Sequence, residues 1–238
     1  KHFNPDYLVN CAAITSLNNC ENNPNKSLRI NSDLVLNLNE LCKEFSCKLI
    51  QISTDHFYTN DGKKKESDKI KIVNVYSKSK FLGELNALTG ENNNLVIRTN
   101  FVGFNKKKPK LGFSAWLFKS LESKKKLFLF DDYYHSPIYV ADLVKIIFML
   151  IEKNASGIFN VASRDVISKL EFCKKIFRKL KISPDFSLKS VKTLEVKRAN
   201  NNGLDISKVE KFLSIKMPNT SNTVECIVND YMKIKKII

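Results

Sequence analysis

Glycine is scarce in this chain, 7 in 238 residues, and none belongs to the Gly-rich turn that seats a dinucleotide's pyrophosphate on a helix N-terminus. The 6 cysteines, Cys11, Cys20, Cys42, Cys47, Cys173 and Cys226, include no Cys-x-x-Cys pair and form no zinc-like grouping with the 3 histidines. That excludes a zinc module, predicts no metal, and reads as reduced thiols in a cytoplasmic protein. Long apolar runs are missing too. The strongest, Ile146 to Ile151, is far below the roughly 20 residues of a membrane span, and "KHFNPDYLVN" has no apolar stretch of the signal-peptide kind. There is neither an internal repeat nor a low-complexity linker.

What is present suffices for a packed core: 43% of residues are hydrophobic and 10% aromatic. The net charge of +16 comes with an abundance of Asn, as in Asn22-Asn23, Asn92-Asn93-Asn94 and Asn200-Asn201-Asn202. Lys with Asn is the bias that A/T-rich codons produce, so the basic surface reads as composition-driven and solvated. The clusters Lys63–Lys65, Lys106–Lys108 and Lys124–Lys126 lack interleaved aromatics, and no nucleic-acid partner is expected. An anionic small substrate is compatible with them.

Apolar runs of strand length alternate with segments of helical period, the pattern of an α/β parallel sheet with helical crossovers. Tyr7–Ala13, Lys48–Ser53 and Asn94–Thr99 read as strands. Ser27–Phe45 places Leu34, Leu38 and Leu41 on one predicted helical face, and a second helix is expected over Val75–Ala87. Beyond Gly103 the spacing predicts a helix in "GFSAWLFKSLES", a strand in "KLFLF", and a helix opened by Pro137 in "PIYVADLVKIIFMLIEK". "GIFNVAS" follows as a strand. Ser168 and Glu171 have capping-box spacing before "FCKKIFRKL", and two helices close the chain. The stretch from Asp55 to Asn74 is long for a structureless loop, which points to function or disorder.

Tyr76 and Lys80 lie one helical turn apart. A nearby ammonium favours phenolate, so the spacing predicts a phenol drawn from about 10 towards working pH, fit for proton transfer. The motif alone is weak: with 7 tyrosines in a Lys-rich chain about one match is expected by chance, and Tyr231 with Lys235 is a second. Context separates them. Tyr76 follows a strand ending in Ser53-Thr54, and ligands of open parallel sheets bind at the carboxyl ends of strands. Tyr231 has nothing comparable near it and reads as surface or packing.

Taken with "PDYLVNCAAIT", "RINSDLVLNLNELC", "ISTDHFYTNDG", "NVYSKSKFLGE", "VIRTNFVG", "DDYYHSPIYVADL" and "KRANNNGLD", these residues resemble the extended short-chain dehydrogenase/reductases. Among them the similarity is to the dTDP-4-dehydrorhamnose reductase group, and it runs along nearly the whole chain. The resemblance implies an NAD(P)-binding Rossmann-like doubly wound parallel sheet over residues 1–103. A smaller, mainly substrate-binding part is implied for 104–238, with helix 138–152 packing back on the sheet. It implies reduction of the 4-keto group of a nucleoside-diphosphate deoxysugar, for surface polysaccharide synthesis. Tyr76 would protonate the carbonyl oxygen, Lys80 would lower its pKa and hold the nicotinamide ribose, and Thr54 would hydrogen-bond the same oxygen. Cys11, Ala12, Ala13, Thr15 and Asn31 would lie along the NADP or NAD, and Asp55, His56, Phe101 and Arg198 would face the sugar nucleotide. Some relatives use Mg at a dimer contact. Nothing here indicates it, although a homodimer is compatible.

Each residue alone also reads as structure: Thr54 as a strand end, Ala12 and Ala13 as small core residues, Lys80 as a solvated cation. Two departures from the family stand out. The chain matches from the family's fourth strand onward, without the glycine turn or the residue that selects NAD or NADP, which implies a fragment of a longer protein, active as an oxidoreductase when intact and inactive by itself for want of that turn, or a degenerate member. Phe101 stands where the reductases commonly have Trp, which leaves the sugar open. Dehydratases resemble Thr-Asp-Glu at the strand end, and His56 removes their general base. Ser53-Thr54-Asp55 is unlike the usual strand end of the epimerases, which remain an alternative. So does a non-catalytic sugar-nucleotide- or NADP-binding regulatory homologue, of the kind found in the beta subunit of methionine adenosyltransferase.

Overall fold

A computed structural model describes residues 4–58, 62–90, 93–104 and 112–237. The basic cluster Lys106–Lys108 therefore lies outside the described residues. Four strands, β1 (Tyr7–Asn10), β2 (Lys48–Ile52), β3 (Leu95–Arg98) and β8 (Gly157–Asn160), form an all-parallel sheet in that order. Their registers run Tyr7 with Lys48, Ile50 with Leu95, and Leu95 with Gly157. Short apolar runs suit these strands because both faces are covered. Alternation divides them: Leu49 and Val96 face one side, Ile50, Leu95 and Ile97 the other.

The first side is covered by α1 (Leu17–Asn22), α2 (Pro24–Leu28), α3 (Leu34–Glu44) and α4 (Val75–Ala87), with one π-helical turn, Arg29–Asp33, joining α2 to α3. The buried face of α3 is Val35, Asn39 and Cys42; of the predicted Leu34, Leu38 and Leu41, Leu38 packs partly buried on the same core and Leu41 is 45% exposed. The π turn inserts a residue ahead of α3 and rotates its face. The same turn brings the Asn31 carbonyl against α4. A Cβ on Gly83 would stand 2.1 Å from that oxygen, so the approach requires glycine.

Between β3 and β8 the chain passes through β4 (Phe101–Val102), α5 (Phe113–Glu122), β5 (Leu127–Leu129), β6 (Tyr134–His135), β7 (Ile138–Tyr139) and α6 (Val140–Glu152). Pro137 does not open α6. Ile138 and Tyr139 pair with Phe101 and Val102 instead, so the helix begins at Val140. Leu143, Ile146, Ile147 and Leu150 then pack on the second face of the sheet with Phe159.

After β8 come β9 (Ile167–Ser168), α7 (Lys169–Leu180), β10 (Phe186–Leu188), β11 (Asn201–Asn202), α8 (Ser207–Leu213) and α9 (Thr220–Ile237). Ser168 caps α7 by accepting from the Glu171 amide at 3.1 Å. A second core joins α5, α7 and α9 through Leu117, Phe118, Phe172, Ile176, Val224 and Ile227. Tyr231 belongs here, stacked on Phe118 with ring centroids 4.1 Å apart. No helix among the described residues is long and apolar enough to cross a membrane.

Candidate active site

β2 delivers Ser53, Thr54 and Asp55 to the carboxyl end of the sheet, all three buried. The Asp55 carboxylate accepts from Asn100 Nδ2 at 2.8 Å, and the Thr54 hydroxyl accepts from the His56 amide at 3.3 Å. This turn is locked from both sides.

α4 is fixed at its start as firmly. Asn74 and Ser77 form a reciprocal capping box, Asn74 Nδ2 donates to the Lys197 carbonyl at 2.9 Å, and the Val75 amide donates to Glu21 Oε1 at 2.8 Å. Tyr76, two residues past the cap, is consequently held in place. Its phenol lies close enough to the Thr54 hydroxyl to feel it, and the His56 ring stands edge-on to it at 5.5 Å.

Electrostatics here differ from the sequence expectation. Burial pushes the Tyr76 phenol well above its ordinary value, against the lowering effect of Thr54, and Asp55 adds to the rise. Lys80 does not draw it down. Its ammonium turns under the sheet and donates to the Ile52 carbonyl at 2.7 Å, and burial lowers it to about 8 against the opposing pull of Glu84. His56 is lowered by burial, and Asp55 is raised by burial against the opposing charge of His56.

These groups border a cleft of about 390 Å³ whose lining includes Thr54, Asp55, His56, Tyr76, Lys80 and Phe101 at its polar end, with Cys11, Ala13 and Thr15 beside them. The opposite wall is apolar, from Val144, Ile147 and Phe148 of α6. Other predicted site residues fall elsewhere. Ala12 is exposed but outside the lining. Asn31 is saturated internally: its amide donates to the Ile14 carbonyl and Ser79 Oγ, and its oxygen accepts from the Ile14 amide. It therefore clamps the 11–15 segment instead of offering free groups to a cofactor. Arg198 also lies outside the cleft lining, although its charge reaches His56. Asn74, Glu21, Asn100 and Tyr133 escaped the sequence reading. Asn74 with Ser77 had a legible capping spacing, whereas the other three act across long sequence separations.

A dinucleotide fits this arrangement on two observations. Lys80 has three N–H donors, and among the described residues Ile52 alone accepts from it. The hydroxyls of Ser53 and Thr99, both in the cleft lining, are buried without partners.

A parallel sheet wrapped by helices on both faces, with Thr, Tyr and Lys gathered at its carboxyl edge, defines an oxidoreductase scaffold of the Rossmann-like kind. The family model described as RmlD substrate binding domain matches residues 1–233, and the chain belongs to that family. A probable low-salt glycan biosynthesis reductase of Haloferax volcanii is 26% identical over 96% of this chain and 80% of its own length. A dTDP-4-dehydrorhamnose reductase of Mycobacterium tuberculosis is 26% identical over 75% of this chain, which spans 60% of that relative. Among solved structures, a hypothetical dTDP-4-dehydrorhamnose reductase of Sulfolobus tokodaii is 32% identical with a TM-score of 0.80, covering 90% of this chain and 76% of its own. The Bacillus anthracis dTDP-4-dehydrorhamnose reductase, solved with NADP, shares the fold at a TM-score of 0.88 and 23% identity, over 95% of this chain and 81% of its own.

Proposed function

We propose that this chain reduces the 4-keto group of a nucleoside-diphosphate deoxysugar with NADPH or NADH, for the synthesis of a surface polysaccharide. The observation that carries the reading is the convergence of the Thr54 hydroxyl and the Tyr76 phenol on one spot of the cleft wall. Reduction needs a hydride donor, the chemistry a bound reduced nicotinamide supplies. Tyr76 holds its proton through the working pH range and gives it to the carbonyl oxygen as negative charge develops there. Thr54 donates a hydrogen bond to the same oxygen. Lys80 keeps N–H donors beyond the one given to the Ile52 carbonyl, and these would hold the nicotinamide ribose. Phe101 and His56 border the sugar. Residues 1–103 supply the chemistry in this reading, and residues from 104 onward chiefly the sugar nucleotide's seat. The cysteines, all unpaired, suit the cytoplasm.

The test is reduction of a dTDP-4-keto-6-deoxy sugar by the protein, followed as loss of nicotinamide absorbance. Tyr76→Phe is expected to lower kcat by at least about 100-fold, in the range general acid catalysis supplies, with little change in nucleotide affinity. Equal turnover by wild type and variant would remove the assignment.

A further inference from the structure

Lys169 is the first residue of α7 and is placed where a cation costs stability. The helix N-terminus carries a partial positive charge, and Ser168 and Glu171 already complete the cap. Glu171 turns away to Lys174 at 2.8 Å. The Lys169 ammonium sits instead 4.5 Å from the centre of the Phe113 ring and 5.8 Å from that of Tyr133. Among the described residues no carboxylate pairs with it. Asp55, whose charge reaches it, is already held by Asn100.

A second cation shares the neighbourhood. Arg198 and Lys169 are mutually repulsive, and Arg198 has a buried Nε with no partner. Between these cations and Tyr76 runs a short relay of contacts: Tyr133 Oη bonds His56 Nε2 at 3.2 Å, and His56 meets Tyr76 edge-on. Among the described residues Asp55 is the carboxylate whose charge reaches Lys169, so two half-buried cations leave the region short of negative charge.

Resting on the reading of the substrate as a nucleotide sugar, we propose that Lys169, with Arg198 beside it, receives the diphosphate. Lys169 thereby fixes how far the sugar reaches towards Thr54 and Tyr76. The groups facing Lys169 are Asp55, His56, His135, Tyr133, Cys173 and Arg198. Burial lowers both histidines, raises Tyr133, and raises Cys173 to about 12. Lys169 itself is lowered to about 8 by burial, so an anion bound there is released as pH rises through that value.

The test is titration of wild type, Lys169→Met and Lys169→Arg with dTDP and with thymidine, in a calorimeter, between pH 7 and 9.5. At pH 7 the Met variant is expected to bind dTDP about tenfold more weakly, the size of one charged hydrogen bond, and thymidine within about twofold of wild type. The Arg variant is expected to retain dTDP affinity, and to lose less of it than wild type above pH 8. Lys80 also titrates near 8, and the comparison with Arg cancels its contribution. Equal dTDP binding by wild type and Lys169→Met, equal weakening by Met and Arg, or equal losses for dTDP and thymidine would each overturn the proposal. Failure of wild type to bind dTDP at all would overturn it together with the nucleotide-sugar reading, which keeps the two failures distinguishable.

Discussion

Lys80 carries a conflict between stability and chemistry that one substitution exposes. Only 4% of it is exposed, and its charge is lowered to about 8 by burial, whereas an unfolded lysine holds its proton to about 10.4. Between those values the folded state binds fewer protons, so the Lys80 contribution makes stability rise with pH across that window. Activity should run the other way, since in the proposed reaction the ammonium that would hold the ribose is lost above about 8. Lys80→Met removes the buried charge and leaves the Ile52 carbonyl still bonded by Gln51 Nε2 at 2.8 Å. The expected outcome is a protein with a higher urea midpoint at pH 7 than wild type and reductase activity lower by about 100-fold or more. A lower midpoint would show that the ammonium stabilises the fold.

At the scale of elements, Tyr58 and Glu66 are held against the sheet by the arginine of a buried ion pair. Arg98 of β3 pairs with Glu84 of α4 at 2.7 Å, and its other nitrogen donates to the Tyr58 hydroxyl at 2.6 Å and the Glu66 carbonyl at 3.1 Å. Glu66 in turn accepts from the Asn160 amide of β8 at 2.8 Å. One guanidinium thus joins α4, the central sheet and the residues Tyr58 and Glu66. Arg98→Met strands Glu84 in the interior and should cost about 3–5 kcal/mol, whereas Arg98→Met with Glu84→Leu should recover much of that loss. Urea unfolding of both variants measures it. A single variant no less stable than wild type would mean that the pair adds nothing.

The same elements show what was legible in advance. β2, β3 and α4 follow from apolar runs and helical period, and the meeting of Thr54, Tyr76 and Lys80 in one cleft from a strand end with a helix after it, because those signals are local. The start of α6 was misplaced because pairing of Ile138 with Phe101 is a tertiary event that overrides the preference of Pro137 for a helix start. The α3 face was misplaced because a π turn has no sequence signature of its own. Lys80 was expected to lower Tyr76, but spacing gives a shared helix face and says nothing of the carbonyl towards which an ammonium turns.

For the whole molecule, the two apolar cores are tied by a chain that crosses between them repeatedly. It leaves the main sheet after Arg98, returns through α6 and β8, leaves again for α7, returns with α8, and ends with α9 in the second core. β7 and α6 are continuous, so the pairing that anchors β4 also orients the helix covering the sheet. Such interleaving opposes independent unfolding, because neither core keeps its walls when the other opens. The single Trp, Trp116, lies on α5, in the second core's layer, so its fluorescence reports that region while far-ultraviolet dichroism reports the whole. Leu150→Ala empties a fully buried position of the main core and should cost about 2–5 kcal/mol. Both signals are expected to move together to the same lower urea midpoint. If Trp116 kept its wild-type midpoint while the dichroism shifted, the two cores would be separate folding units despite the crossings.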